Sequence, residues 1–446
     1  MNTSPSFVPT SRSILLSDHL RKLGIQRLFW NSSKSTDAAA LSTLNQELTA
    51  FSLIGDFDAC PFLGRATSLE RLIHRRVNYD VFSFEKLNED EQRKYCATIV
   101  DFVDGTVCGI VPFSSSRVLY NIFCVRPHCR YLANNPSIET FLNYKPYVER
   151  LLSDQGIRTI PYSSFLLGLG DKYDIPLSIA EGRVMTRIPT GTGGTGHRLG
   201  LLSDLNSTTL PVGDIMSVAP YLLGALSFNV SACRFRSGAV RYHPPSLQII
   251  GDSACSANPF SYCGNEFGRL DDYLTTHHYQ ILEDIILRTS EILRTVGYIG
   301  VFGLDFILHD NNILISELNP RFQASALLAS HLLNRAGLST VHEDHISAQV
   351  GLEPTHAAIP ISELARIGGS ISQIFVYQSG QSDFGLSAIE RETTISFDLT
   401  YDGNAIEDDA LLYRAILPEK VTSCGKALLP EVRAAISAKS KEVVHG

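Results

Sequence analysis

Residues 301–325 read VFGLDFILHDNNILISELNPRFQAS. Two apolar runs, VFGLDFIL and ILISEL, flank the polar turn HDNN, a pattern that predicts a β-hairpin. Asp305 falls on the first strand; Glu317 and Asn319 fall on the second. Side chains alternate faces along a strand, so Glu317 and Asn319 share one. The orientation of Asp305 depends on the loop. A loop of three residues (Asp310–Asn312) or of five puts Asp305 on the Glu317 face. A loop of two or four puts it on the other, unless a bulge intervenes. The asparagines tolerate left-handed backbone, and the odd loop is the expectation. Two carboxylates and an amide oxygen on one face form a hard-oxygen set of the kind Mg²⁺ takes. The competing reading, an ion-paired and solvated face, fits poorly beside Phe306, Ile307, Ile315 and Leu318. Arg321 follows two residues after Asn319, where a guanidinium can hold phosphate or carboxylate in a planar two-point contact. An ordinary surface ion pair is the bland alternative for it.

Upstream lies Pro189–Gly196, PTGTGGTG. Gly191, Gly193, Gly194 and Gly196 allow a backbone to run close to phosphates, N–H groups first. No GK[ST] follows, so this is not a Walker loop, and the pattern reads as a flap between strands. Residues 135–161 predict a helix with Ser137 as N-cap, kinked or restarted at Pro146 and ended by Gly156. Short apolar runs alternating with helical stretches over 13–130 predict a parallel α/β unit, with no GxGxxG to support a dinucleotide site. Antiparallel strands are expected over 215–251, and amphipathic helices over 277–296 and near Ser325–Ala336.

The 446 residues suggest two to four domains or subdomains, and 44% hydrophobic content can bury sizeable cores. A formal net charge of −8 argues against a general nucleic-acid binder. No apolar run is long enough to span a bilayer, and the polar start, MNTSPSFVPTSRS, lacks the order of a secretory signal. Nine scattered cysteines without CxxC spacing read as reduced thiols, and the expected location is cytoplasmic.

Taken in order, FLNYKPYVERLLSDQGIRTIP, RVMTRIPTGTGGTG, YLLGALSFNV and GLDFIL…ISELNPRFQAS resemble the ATP-grasp superfamily over roughly residues 135–340. The resemblance implies an ATP-grasp fold of α/β and α+β character. A pre-ATP-grasp α/β domain would cover 1–134, a small lobe with the glycine flap 135–214, and a large lobe with the metal site 215–355. A closing segment or small domain would cover 356–446. It further implies ATP and two Mg²⁺ ions, with Mn²⁺ as a substitute, and Asp305, Glu317 and Asn319 as metal ligands. Arg321 would be the catalytic arginine. Lys145, Arg187, Gly191, Thr192, Gly193, Gly194, Tyr221, Leu222 and Asn229 would bind the nucleotide. Arg187 stands where the family commonly has a lysine, and the hinge, Ala219–Leu222, lacks the family's frequent acidic residue.

The segment VRYHPPSLQIIG…NPFSYCGNEF resembles pheganomycin-type peptide ligases, with His243, Ser246, Gln248 and Asn265 as candidates to face substrate. The implied activity is an ADP-forming carboxylate–amine ligation through an acylphosphate, in natural-product or small-peptide biosynthesis. The substrates would be a small carboxylate and an amine, such as an amino acid or peptide. Arg234, Arg236 and Arg269 are candidates to hold a second carboxylate. A homodimer is expected by analogy only. The alternatives are a kinase or carboxylase on the same fold, or a nucleotide-binding scaffold without turnover.

Overall fold

The computed structural model describes residues 6–55, 62–75, 77–80, 82–166, 183–191, 193–194, 196–201, 215–377, 396–399 and 410–445. The chain opens with α1 (Ser11–Lys22), capped by Thr10. Five parallel strands follow: β1 (Arg27–Ser32), β2 (Glu47–Ser52), β3 (Arg65–Ser68), β4 (Cys108–Pro112) and β5 (Cys129–Tyr131). Their order is β3-β2-β1-β4-β5, so the winding reverses beside β1. Helices α2 (Leu69–Ile73), α3 (Glu89–Val103) and α4 (Arg117–Cys124) connect them. Phe29, Phe51, Tyr95, Ile99 and Phe102 fill the core on one face.

Next come α5 (Pro136–Leu142) and α6 (Lys145–Asp154). Pro146 sits in the first turn of α6, so the expected interruption is a restart. The N-cap of α5 is Asn135, which accepts from the Ser137 N–H, rather than Ser137 itself. Pro136 explains the two-residue shift, because a proline suits the first helical position and so puts the cap at Asn135.

A small antiparallel sheet contains β6 (Ser163–Leu166), β7 (Arg183–Arg187), β8 (His197–Leu201) and β9 (Ile215–Pro220), in the order β6-β9-β7-β8. The large antiparallel sheet begins with β10 (Leu226–Arg234), β11 (Val240–Tyr242), β12 (Ser246–Ile250) and β13 (Tyr262–Phe267). Helix α7 (Thr276–Thr295) precedes β14 (Gly300–His309) and β15 (Asn312–Asn319). Then follow α8 (Ala326–Arg335), α9 (Val341–Val350), the short α10 (Ile361–Leu364), β16 (Ile371–Tyr377), β17 (Ser396–Leu399), β18 (Leu411–Leu417) and α11 (Pro430–His445). The last three strands extend the same sheet, which runs β15-β14-β10-β12-β13-β16-β18-β17, with β11 on β10.

One face of the large sheet is covered by α7, whose Leu282, Ile285, Ile286 and Leu293 pack with Phe228, Leu304 and Phe306. Another cluster continues from Leu16, Leu20 and Trp30 into Phe322, Leu328 and Val341. The parallel sheet and the large sheet therefore share a core. No described helix is long and apolar enough to cross a membrane.

Candidate active site

The β14–β15 hairpin turns on two residues, Asp310 and Asn311, with φ of 47° and 60°. His309 pairs with Asn312, so the loop is even, and the expected odd loop is wrong. Both central residues take the left-handed conformation, which suits a tight two-residue turn matched to strand twist. A bulge then restores the arrangement. Phe306 pairs with Ile315, but Asp305 pairs with Glu317, and Ser316 is the extra residue. Asp305 and Glu317 thus become direct partners, and Gly303 pairs with Asn319.

The bulged Ser316 carbonyl accepts from Arg187 Nη1 at 3.0 Å and from Tyr162 Oη at 3.1 Å. Ile315 binds the chain at Arg158 and Ile160, which covers the outer edge of β15. The bulge therefore ties the hairpin to β7 and to the strand entering β6.

Asp305 Oδ1 accepts from Gln248 and Gln323, each at 2.9 Å, and Oδ2 accepts from Asn319 at 2.9 Å. Burial, then repulsion from Glu317, pushes its carboxyl up to about 7. Burial alone would also raise Glu317. Lys145 and Arg187 outweigh it, and the Glu317 carboxyl lies below its ordinary value. Lys145 Nζ stands 3.0 Å from Glu317 Oε1 and donates to the Gly191 carbonyl at 2.6 Å. A half-buried carboxyl pair with one member held high is a site that gains from a cation between them. Among the described residues no group of three or more His, Cys, Asp or Glu side chains could hold a metal ion. Two carboxylates with the Asn319 amide oxygen instead form the partial shell that Mg²⁺ completes with water and phosphate oxygens. These residues fit that ion.

Arg187 is 5% exposed. It pairs with Glu149 and lies over the Tyr162 ring at 4.0 Å, and burial lowers its guanidinium to about 10. Its Nε has no partner. His197 lies near the same charges, and burial lowers its pKa. Lys145, Glu149, Tyr162, Arg187, Glu317 and apolar neighbours enclose about 10 Å³, room for roughly one water. The small sheet is in direct contact with the β14–β15 hairpin here.

The flap is seated too. Gly193 O accepts from Tyr262 N at 3.3 Å. A Cβ on Gly193 would stand 2.6 Å from the Asp80 carboxylate, and one on Gly194 1.9 Å from Phe260 O. Thr192 lies outside the described residues. Asn229 is the direct β10 partner of Asp305; its amide meets Ser325 at 3.3 Å and Ser246 at 2.5 Å. Tyr221 and Leu222 follow β9, and the Tyr221 N–H is used by Arg183 O.

Arg321 lies over the Phe113 ring at 5.6 Å and donates to Phe322 O at 3.0 Å. Among the described residues its guanidinium has no carboxylate within 4 Å. Phe322 is buried among Trp30, Phe113, His342 and His345, with ring centroids 4.7–6.2 Å away. The parallel sheet thereby anchors the residue beside the arginine.

Ser246, Gln248 and Asn265 line the Asp305 face of the large sheet, joined by hydrogen bonds. His243 does not: it is fully buried between Ser231 and Asp344. Arg234, Arg236 and Arg269 are spent on Tyr298 O, on Ala348 and Gln349 carbonyls, and on Asp272 with Glu266. Sequence reasoning did not single out Glu149, Tyr162, Ser316 or Gln323. Only Gln323 carried a signal, standing two residues after Arg321.

Residues 244–325 match the family described as ATP-grasp domain. No curated protein matches the chain. Among solved structures, the Campylobacter jejuni biotin carboxylase in complex with an ATP analogue aligns at TM-score 0.62 and 13% identity. That alignment covers 89% of this chain and 88% of that one. The Hydrogenobacter thermophilus 2-oxoglutarate carboxylase biotin carboxylase domain dimer, with MgADP, ADP and bicarbonate, aligns at TM-score 0.60 and 14% identity. It covers 88% and 86% of the two chains. The Staphylococcus aureus N5-carboxyaminoimidazole synthetase with ADP aligns at 0.53 and 11%, covering 94% and 97%. The chain carries an ATP-grasp domain and the ATP-grasp fold, a fold of ATP-dependent ligases and carboxylases.

Proposed function

We propose that the chain is an ADP-forming carboxylate–amine ligase that uses ATP and Mg²⁺. The observation that carries this reading is the Asp305–Glu317 pair, with Lys145 on Glu317 and Arg321 beside it. In this reading Asp305, Glu317 and Asn319 hold Mg²⁺, which supplies neutralisation of charge on the triphosphate. Lys145 and the free Arg187 Nε face phosphate oxygens. Arg321, unpaired with any near carboxylate, receives the substrate carboxylate and orients it toward the γ-phosphate. The carboxylate attacks phosphorus and ADP leaves, giving an acylphosphate. An amine then attacks the acyl carbon, and phosphate departs with formation of the amide. The seated flap excludes water that would hydrolyse the acylphosphate. The amide-forming specificity, a peptide or natural-product role, a cytoplasmic location and a homodimer belong to this proposal.

The test is incubation with ATP, Mg²⁺ and panels of acids and amines, following ADP, AMP and phosphate. ADP and phosphate release that requires both an acid and an amine is expected. Release of AMP and pyrophosphate would sink the scheme. Glu317→Gln is expected to abolish turnover with the fold intact; full activity in that variant would refute the metal assignment.

A further inference from the structure

The parallel sheet reverses its winding between β1 and β4, and ligands of open α/β sheets sit outside the carboxyl ends of the strands at such a reversal. The chain leaving β4 there is Phe113, Ser114, Ser115 and Ser116, all half-buried. Arg321, also half-buried, lies over the Phe113 ring, and the Phe322 N–H donates to the Phe113 carbonyl at 3.2 Å. Glu139 of α5 reaches the same turn. Its Oε2 accepts from Ser115 N at 2.6 Å and from Ser114 Oγ at 3.0 Å. Its Oε1 makes no hydrogen bond among the described residues, yet it is not one of their buried, unpartnered atoms, so it keeps a contact with solvent. A side chain that is 5% exposed thus has one oxygen locked and one open.

A carboxylate this deeply placed is ordinarily paired with a cation. Among the described residues no lysine, arginine or histidine nitrogen stands within 4 Å of Glu139. Burial raises its carboxyl; the bonds from Ser115 and Ser114, and then the charge of Arg321, draw it part of the way back, to about 7. The other titratable groups facing it are Tyr131 from β5 and Tyr298 ahead of β14, whose hydroxyls burial pushes up and keeps neutral. Glu139 and Arg321 therefore meet the turn after β4 with opposite charges that are near but not joined. A carboxyl that titrates near neutrality and has an open oxygen is suited to general acid–base work.

We propose that Glu139 receives the amine substrate in its ammonium form through Oε1 and takes the proton that the amine must lose before it attacks. This deepens the ligase reading and rests on it. The amine arrives as R–NH₃⁺ and passes one proton to Glu139, which frees the nitrogen lone pair. Nitrogen bonds to the acyl carbon of the acylphosphate, and the carbon–oxygen bond to phosphate breaks. A second proton leaves nitrogen with the departing phosphate, and one stays on the amide. Glu139 then returns its proton to water. Ser114 and Ser115 fix the carboxylate, and Arg321 holds the acyl side of the same turn.

The test compares two nucleophiles. The acid and amine that support ADP release supply the substrates, and hydroxylamine, which is largely neutral at pH 7, replaces the amine in a parallel series. In wild type, kcat/KM for the amine is expected to rise up to about pH 7 and then level, since ionised Glu139 and ammonium coexist above that point. Glu139→Gln keeps an acceptor for Ser114 and Ser115. Its profile is expected to lose the level and climb about ten-fold per pH unit toward the amine's own pKa. At pH 7 the variant is expected to lie about 100-fold below wild type with the amine, and to lose less than about ten-fold in hydroxamate formation. Equal losses for the two nucleophiles, with the level retained, would make Glu139 a mere tether between α5 and β4. An unchanged value for the amine would remove it from the reaction. If the glutamine variant does not fold, the wild-type profiles decide: a level above about pH 7 with the amine supports the base, and a climb that continues to the amine's own pKa overturns it. Failure of these signatures while ADP and amide still form overturns this role alone. Absence of ADP release with every acid overturns the ligase reading, and this role with it.

Discussion

Asp305 faces Glu317 across the β14–β15 ladder because Ser316 is bulged out of it. The two-residue turn at Asp310–Asn311 alone would have paired Asp305 with Ser316 and sent Glu317 to the other face. The carbonyl released by the bulge is bound by Arg187 and Tyr162, so the feature that aligns the carboxylates also docks the small antiparallel sheet beside them.

The turn itself is under a conformational demand that a single substitution can read. Asn311 has a φ of 60°, where an ordinary side chain costs about 1–2 kcal/mol. Asn311→Gly is expected to stabilise the protein by about 0.5–1 kcal/mol, and Asn311→Val to destabilise it by about 1–2 kcal/mol or more. Urea unfolding measures both. Equal stability of the glycine and valine variants would contradict the left-handed turn.

Asp305 links the site to pH. Its folded carboxyl titrates at about 7 against an ordinary 3.8, because of burial first and Glu317 second. Between those values the folded chain retains a proton that the unfolded chain has released, so this group opposes folding increasingly as pH rises from about 4 to about 7. Without metal or nucleotide, Asp305→Asn is therefore expected to melt above wild type by a few degrees at pH 8. The difference should shrink steadily toward pH 4. A pH-independent difference would show that Asp305 is ionised throughout, and the same variant is expected to lose metal binding.

Much of this was legible in the sequence, and the rest was hidden for identifiable reasons. The hairpin, the antiparallel strands before it and the parallel sheet all follow from residue periodicity. The bulge does not, since ISEL reads equally well as a straight strand and Ser316 has no property that marks it. The odd-loop expectation brought Asp305 to the correct face for the wrong reason. Arg187 was legible as a charge but not as the partner of Glu149 and Ser316, which are distant in the chain. Phe322 was visible only as an apolar residue. Its cage of Trp30, Phe113, His342 and His345 draws on three separate segments, and no local pattern encodes that convergence.

Besides Asn319, two uncharged amides orient Asp305. Gln248 and Gln323 both donate to Oδ1, which fixes the carboxylate without neutralising it. Outer hydrogen bonds of this kind are worth roughly 10–100-fold in metal affinity. Gln248→Leu is expected to weaken Mn²⁺ binding, read by electron paramagnetic resonance, by about ten-fold or more on that basis. Gly303→Ala tests the other amide indirectly. A Cβ there would stand 2.1 Å from Gln323 Cδ, so the flexible side chain must leave. The variant is expected to fold normally and to bind Mn²⁺ more weakly. Unchanged affinity in both variants would mean that Asp305 needs no outside support.

The flap offers a test of water exclusion separate from binding. Gly194 has a φ of 84°, and a Cβ on it would lie 1.9 Å from the Phe260 carbonyl, a backbone atom that cannot swing aside. Gly194→Ala therefore keeps the flap from seating between β13 and the Asp80 segment. The Asp305–Glu317 carboxylates lie on other elements; Lys145 keeps its pair with Glu317, and only its bonds to the Pro189 and Gly191 carbonyls involve the flap. The variant is expected to bind nucleotide within a few-fold of wild type while its amide yield per ADP falls steeply, because an exposed acylphosphate is lost to water. Measuring ADP and amide together distinguishes this from simple inactivation. A proportional loss of both would assign the flap to phosphate binding rather than to closure. An unchanged ratio at full rate would show that the seated position has no part in the reaction.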